Sequence, residues 1–230
     1  MSIFVKVNTT FIENYLIYLS IFSGLIPVSL IFILKRFEIS SKIICFYLVY
    51  CIFSDLVLSK LSIKYFSTEI YSYRLFTIVE FLLLSLFIYF SINNPKFKKI
   101  ILGSFALFFV TLIIDSFTST LSQFDSIPSG LESILILNSS LLLLYEKVIN
   151  APISNKITSC VIITLGLIIF FSGTFFLFIL SQNNFNDIDF LNSYGYLVAF
   201  FNIIKNGFII LGIINTNTIM IKSNKNLQNI

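Results

Sequence analysis

The chain has 230 residues, of which 57% are hydrophobic and 11% charged, with a formal net charge of +4 and neither histidine nor tryptophan. A soluble domain carries roughly 25% charged residues, and apolar runs of about 20 residues recur along this whole chain, which marks an all-α, polytopic membrane protein. The absence of histidine excludes His-ligated zinc and haem sites and His-dependent acyl transfer.

Residues ahead of Tyr15 hold Lys6 and Glu13 and no short apolar stretch, and no small-x-small site follows the first long run. That run is therefore expected to be retained as a helix. Seven spans follow in order: 15–34, 43–61, 73–92, 100–115, 131–149, 157–180 and 196–220, forming a single transmembrane domain over 1–230 with no soluble domain. The first carries Pro27, which is expected to kink it. The second holds Asp55 and the third Glu80. The polar, proline-bearing turn NNPKFKK separates the third and fourth. The fifth starts close to Glu132, and Glu132 and Asp115 are both expected near the membrane interface. The sixth is the most uniformly apolar, and its Gly166 and Gly173 lie seven apart for close helix packing. The seventh carries Lys205 between Asn202 and Asn206. Cys45, Cys51 and Cys160 read as small apolar residues, not a disulfide or metal site.

Lys and Arg placement orients the bundle. With the N-terminus outside, the inner segments hold ten: Lys35, Arg36, Lys42, Lys96, Lys98, Lys99, Lys147, Lys156, Lys222 and Lys225. The outer segments hold four: Lys6, Lys60, Lys64 and Arg74. The expected topology is N-terminus outside and C-terminus cytoplasmic, in a cell membrane, with a bacterial inner membrane as its setting. The positive charge is a topology signal and not a nucleic-acid footprint.

The remaining polar residues form a layer. Cys51, Asp55 and Ser59 are spaced by fours on one face of the second span, which Leu48 continues inward. On the third, Tyr73, Thr77, Glu80, Leu84 and Phe87 share a face; on the fifth, Glu132 and Ser139 align. Asp55, Glu80 and Lys205 fall at similar depth in the outer half, so Lys205 is expected to pair directly with Asp55, Glu80 or both. A lysine in hydrocarbon costs at least ~2.5–3.5 kcal/mol and demands such a partner. Two carboxylates and one ammonium leave a formal −1, balanced by a proton or a cation. The candidate intramembrane cluster is Asp55, Glu80, Lys205, Asn202, Asn206, Thr77 and Glu132. It serves either to fasten helices or to line a polar pocket.

No GxGD or HExxH pattern is present, so no enzyme, catalytic residue, metal site or cofactor is expected. A lysine in a seventh helix with a carboxylate in the third is similar to the layout of microbial rhodopsins. Those proteins use tryptophans and a carboxylate one turn before the lysine; here there is no Trp, and Phe201 stands at that place. Retinal is therefore not expected. The run YSYRLFTIVEF (71–81), Glu132, the run IIFFSGTFFLF (168–178) and NIIKN (202–206) together resemble uncharacterised seven-helix integral membrane proteins of Bacteroidetes-type bacteria. That resemblance implies architecture and membrane location and no particular activity. Two function classes follow. One is a receptor-like or accessory module that signals to a separate cytoplasmic or membrane protein partner. The other is a transporter or channel for a small solute, ion or proton using Asp55, Glu80 and Lys205. The lipid bilayer is the one partner the composition demands.

Overall fold

The structure, a computed structural model, describes residues 11–34, 39–66, 70–118, 126–149, 159–184 and 188–227. Side chains at 11–14, 59, 66, 70, 126, 181–184, 188–189, 191–192 and 216–227 lie outside the description. So do the topology-setting residues Lys6, Lys35, Arg36, Lys156, Lys222 and Lys225 and the face residue Ser59.

The described residues are helical, without strands. The helices are α1 (Phe11–Ser23), α2 (Leu25–Ile33), α3 (Ile39–Phe53), α4 (Ser59–Phe66), α5 (Ile70–Ser91), α6 (Pro95–Thr118), α7 (Ser126–Ile149), α8 (Ser159–Asn184) and α9 (Ile188–Leu227). A π turn, Ser54–Leu58, joins α3 to α4. Seven spans are long and apolar enough to cross a membrane: Tyr15–Ile33, Ile39–Tyr65, Tyr71–Ser91, Pro95–Thr118, Ile127–Ile149, Ser159–Leu180 and Ser193–Asn215. Large apolar side chains face outward on every one of them, among them Phe46 at 71% and Phe117 at 86% exposure. Surface of that kind all round a bundle is a lipid-facing surface.

The expected spans hold, and their edges shift for local reasons. The fourth begins at Pro95, not residue 100, and runs to Thr118. Asn94 is its N-cap, its side-chain oxygen accepting the Lys96 N–H at 2.9 Å. Pro95 occupies the first helical position, where its missing N–H costs nothing. The fifth begins at Ser126, because Pro128 is equally tolerated in a first turn. The first span breaks at Gly24, between α1 and α2. Pro27 offers no N–H to the Ser23 carbonyl, so the interruption falls one turn before the proline itself.

Six of the spans close a ring. α1 and α2 pack on α9 and α3; α3 packs on α5, α5 on α7, α7 on α8, and α8 on α9. The fourth span, α6, lies outside this ring against α5 and α7. Two charged clamps hold it. At one end Arg74 of α5 pairs with Asp115 of α6. At the other, the Glu146 carboxylate of α7 accepts the backbone N–H groups of Asn93 and Asn94, at 2.8 and 2.9 Å, in the α5–α6 turn. Asp115 lies three residues from the end of its span, and its side chain is buried between helices, 6% exposed.

Lipid tails are as apolar as leucine, so helices in a bilayer are joined by close packing and hydrogen bonds. The α8–α9 seam shows the first of these. A Cβ on Gly166 would stand 2.6 Å from Phe208 Cβ and 3.3 Å from the Lys205 carbonyl oxygen. One on Gly212 would stand 2.6 Å from Ile163 Cγ1. Gly207, by contrast, has nothing within 4 Å. We expect Gly166→Ala to lower the thermal stability of the purified protein by about 1–3 kcal/mol, since Phe208 Cβ cannot move without α9. Gly207→Ala should be neutral or stabilising, by up to about 1 kcal/mol. Thermal unfolding in mild detergent distinguishes the two.

Candidate functional site: a polar cavity inside the ring

The ring encloses a cavity of about 70 Å³ to which all six of its spans contribute. Its walls include Ser20 from α1, Cys51 and Asp55 from the second span, Tyr73, Thr77 and Glu80 from α5, Ser129 and Glu132 from α7, Phe170 and Phe178 from α8, and Gly195, Asn202 and Lys205 from α9. Six of the seven expected cluster residues therefore meet in one space. The seventh, Asn206, lines an adjoining hollow of about 10 Å³ together with Asp55, Asn202 and Lys205.

Lys205 is 2% exposed, so its ammonium must find partners inside. It was expected to pair directly with a carboxylate. It donates instead to the Tyr47 hydroxyl at 2.5 Å, and that hydroxyl donates to Glu80 Oε1 at 2.7 Å. The ammonium also stands over the Phe170 ring, 4.2 Å from its centroid, a contact that gains strength where water is excluded. Tyr47 is thus the middle of a Lys205–Tyr47–Glu80 chain, which the sequence reading missed. The second-span face continues inward through both Leu48, which shares the adjoining hollow with Cys51 and Asp55, and Tyr47, four residues before Cys51.

Asp55 sits in the π turn, 8% exposed. The expected face was that of a regular helix. The π turn inserts a residue into the helical count and re-aims the side chains around it, a device found often at functional sites. Asp55 reaches the cavity wall.

The asparagines act as fasteners. Asn202 donates to Ser20 Oγ at 2.8 Å and Asn206 to Ser23 Oγ at 2.7 Å. Ser23 in turn donates to the Ser20 carbonyl at 2.7 Å. The break at Gly24 ends α1 at Ser23, the residue that receives Asn206. Thr77 Oγ1 lies 3.3 Å from Ser129 Oγ, tying α5 to α7. Glu132, expected near the interface, is 3% exposed and faces the cavity. Ser139 does not join it and lies on a separate groove between α6 and α7.

Lys205 and Glu80 stand at similar depth, as expected from their positions along the spans. Lys205 has 12 residues before it and 10 after it in Ser193–Asn215, and Glu80 has 9 before and 11 after in Tyr71–Ser91. Both stand close to the middle of these spans, Glu80 on the N-terminal side of its own. From that floor the cavity rises past Thr77 and Tyr73 on α5, and past Asn202 and Gly195 on α9. On the far side of Lys205 the ring is filled by apolar side chains, including Leu48, Leu84, Ile88, Leu167, Ile209 and Ile213.

Three carboxyl groups (Asp55, Glu80, Glu132) and one ammonium (Lys205) line the cavity, a formal −2 when all are ionised. No grouping of three or more His, Cys, Asp or Glu residues among the described residues has metal-binding geometry. The volume suits a few waters, an ion or a small polar solute, far below the ~300–1,000 Å³ of sites for drug-sized ligands.

Fold and site together define a seven-span, multi-pass membrane protein with a charged cavity within a six-span ring. No protein-family model matches the chain, and neither curated proteins nor solved structures give a match.

If the Lys205–Tyr47–Glu80 chain holds the ring, Tyr47→Phe will lower stability by about 1–3 kcal/mol, because two buried polar groups lose one shared partner. Lys205→Met will also be destabilising, by leaving Glu80 and Tyr47 without the cation. Combining Lys205→Met with Glu80→Gln is expected to cost less than the sum of the two singles. Additive melting-temperature losses, or a Lys205→Met protein as stable as the parent, would show that the chain carries no coupling.

Proposed function

We propose that this protein is a receptor-like or accessory membrane module. A small polar solute or ion enters the cavity and biases the ring, and a separate protein partner reads the change. The observation that carries this reading is the one-sided form of the site. The cavity reaches the level of Lys205 and stops on a contiguous apolar core, which favours sensing over conduction. The element best suited to respond is the π turn, since Asp55 forms part of the wall and π and α arrangements of one segment are alternative states. A ligand shifts such an equilibrium only by its difference in affinity for the two.

The proposal includes an orientation. Lys42, Lys96, Lys98, Lys99 and Lys147 fall towards one face of the bundle, and Lys60, Lys64 and Arg74 towards the other. The positive-inside rule then supports an outer N-terminus and an outward cavity, in a bacterial inner membrane. Kinship with seven-helix proteins of Bacteroidetes-type bacteria belongs to the same proposal and rests on the sequence runs quoted above.

A second reading, transport of a small solute, ion or proton, is favoured by one observation. Lys205 and Glu80 stand near mid-span, the depth at which carriers commonly hold their substrates. Reconstitution separates the two readings. In proteoliposomes under ion and pH gradients, the wild type is expected to give no flux above that of empty vesicles. Protein extracted in mild detergent is expected to carry a stoichiometric protein partner. Flux that Asp55→Asn or Glu80→Gln abolishes would overturn the sensing reading and establish transport.

A further inference from the structure

Outside the ring, α6 and α7 flank a groove of about 1070 Å³. Its walls carry no charged side chain. One turn from its Leu135 end stands Asn138, an exposed amide at the centre of the span Ile127–Ile149, with eleven residues on either side. Its side chain hydrogen-bonds to no described residue. A carboxamide facing hydrocarbon without a partner is costly, and lipid acyl chains supply neither donor nor acceptor.

The surroundings of Asn138 are arranged as a helix-pairing seam. Ile134, Asn138, Leu141, Tyr145 and Val148 are spaced four, three, four and three along α7, and all are exposed. That spacing is the repeat of left-handed helix pairing, and a single asparagine within such a seam fixes register and partner number. Across the groove, α6 offers Gly103, where an added Cβ would meet nothing within 4 Å. The gap leaves room for a further helix to approach.

We propose that the occupant of this groove is a second copy of the chain, with α7 set against α7 around a two-fold axis and the two Asn138 amides hydrogen-bonded to each other. The amide is its own complement, since it donates through nitrogen and accepts through oxygen. A two-fold axis presents the same patch from both sides. A charged partner would find no counter-charge in the groove, and a lipid would leave the amide unsatisfied. The dimer also accounts for a span that the ring does not need for closure: α6 shapes one wall of the docking groove. This inference is independent of whether the cavity senses or transports.

The test uses the full chain in liposomes. In a Cys45→Ala/Cys51→Ala/Cys160→Ala background, Leu141→Cys is expected to form an oxidative cross-linked dimer. Leu211→Cys, exposed on α9, should not. Adding Asn138→Leu should lower the cross-linked fraction roughly threefold or more, the scale of an interhelical amide bond in membranes. Asn138→Gln should retain it. As an independent readout, fluorescently tagged wild-type protein in dilute liposomes should bleach in two steps, and the Asn138→Leu variant mainly in one. Equal cross-linking at positions 141 and 211, undiminished cross-linking in Asn138→Leu, or one-step bleaching of the wild type would overturn the proposal. One-step bleaching would assign the groove to lipid, equal cross-linking to random collision, and undiminished cross-linking to a seam that does not depend on the amide.

Discussion

The burial of one ammonium group governs this bundle. Lys205 sits near the centre of its span and is almost wholly enclosed. Left unpartnered in hydrocarbon, it would cost at least ~2.5–3.5 kcal/mol. The chain supplies a hydroxyl, an aromatic face and, one hydrogen bond further on, a carboxylate. Once Lys205 faces inward, the rotation of α9 is fixed. Asn202, three residues before it, and Asn206, one after, then meet the serines of α1. The same rotation brings the backbone of α9 against Gly166, where no side chain fits. The glycine contact and the lysine chain are therefore two sides of one constraint.

That dependence explains which features were legible in the sequence. Seven spans were readable because hydropathy integrates over about 20 residues and tolerates local error. Their ends were not, because they turn on single residues. Asn94 and Pro95 look like a breaker, yet they cap and start α6. Asp55, Glu80 and Lys205 were visible because charge inside an apolar run is conspicuous. Tyr47 was not, although it lies four residues before Cys51 and eight before Asp55 on their face. A tyrosine within an apolar helix ordinarily reads as core or interface. Ser20 and Ser23 were hidden in the same way, because serine is common in membrane helices and gains meaning only from its partner. Glu146 reads as a solvated residue in a last helical turn, while its two backbone N–H partners come from a turn 52 and 53 residues earlier. Interactions across such separations leave no local trace in a sequence.

The composition of the cavity follows from the same balance of charge. A single ammonium neutralises one carboxylate, and the wall presents three carboxyl groups. A structural fastener would need no more than the Lys205–Tyr47–Glu80 chain. Asp55 and Glu132 also reach the cavity wall. Asp55 does so from a π turn, a backbone form with little support from local propensity. The acidic side chains and the irregular backbone thus meet at the wall of the same cavity.

The outer span completes the argument. The ring closes without α6, yet α6 is pinned at both ends, by Arg74 and Asp115 at one and by Glu146 beneath its first turn at the other. All three clamp residues belong to α5, α6 or α7. The groove between α6 and α7 is therefore held in shape from the ring side. The helix common to cavity and groove is α7: its first turns give Ser129 and Glu132 to the cavity, and its middle gives Asn138 to the groove. A rotation or tilt of α7 that altered the cavity wall would move the seam by a matching amount, because a helix transmits such motion as a rigid element. Cavity wall and outer face therefore share α7 as one element.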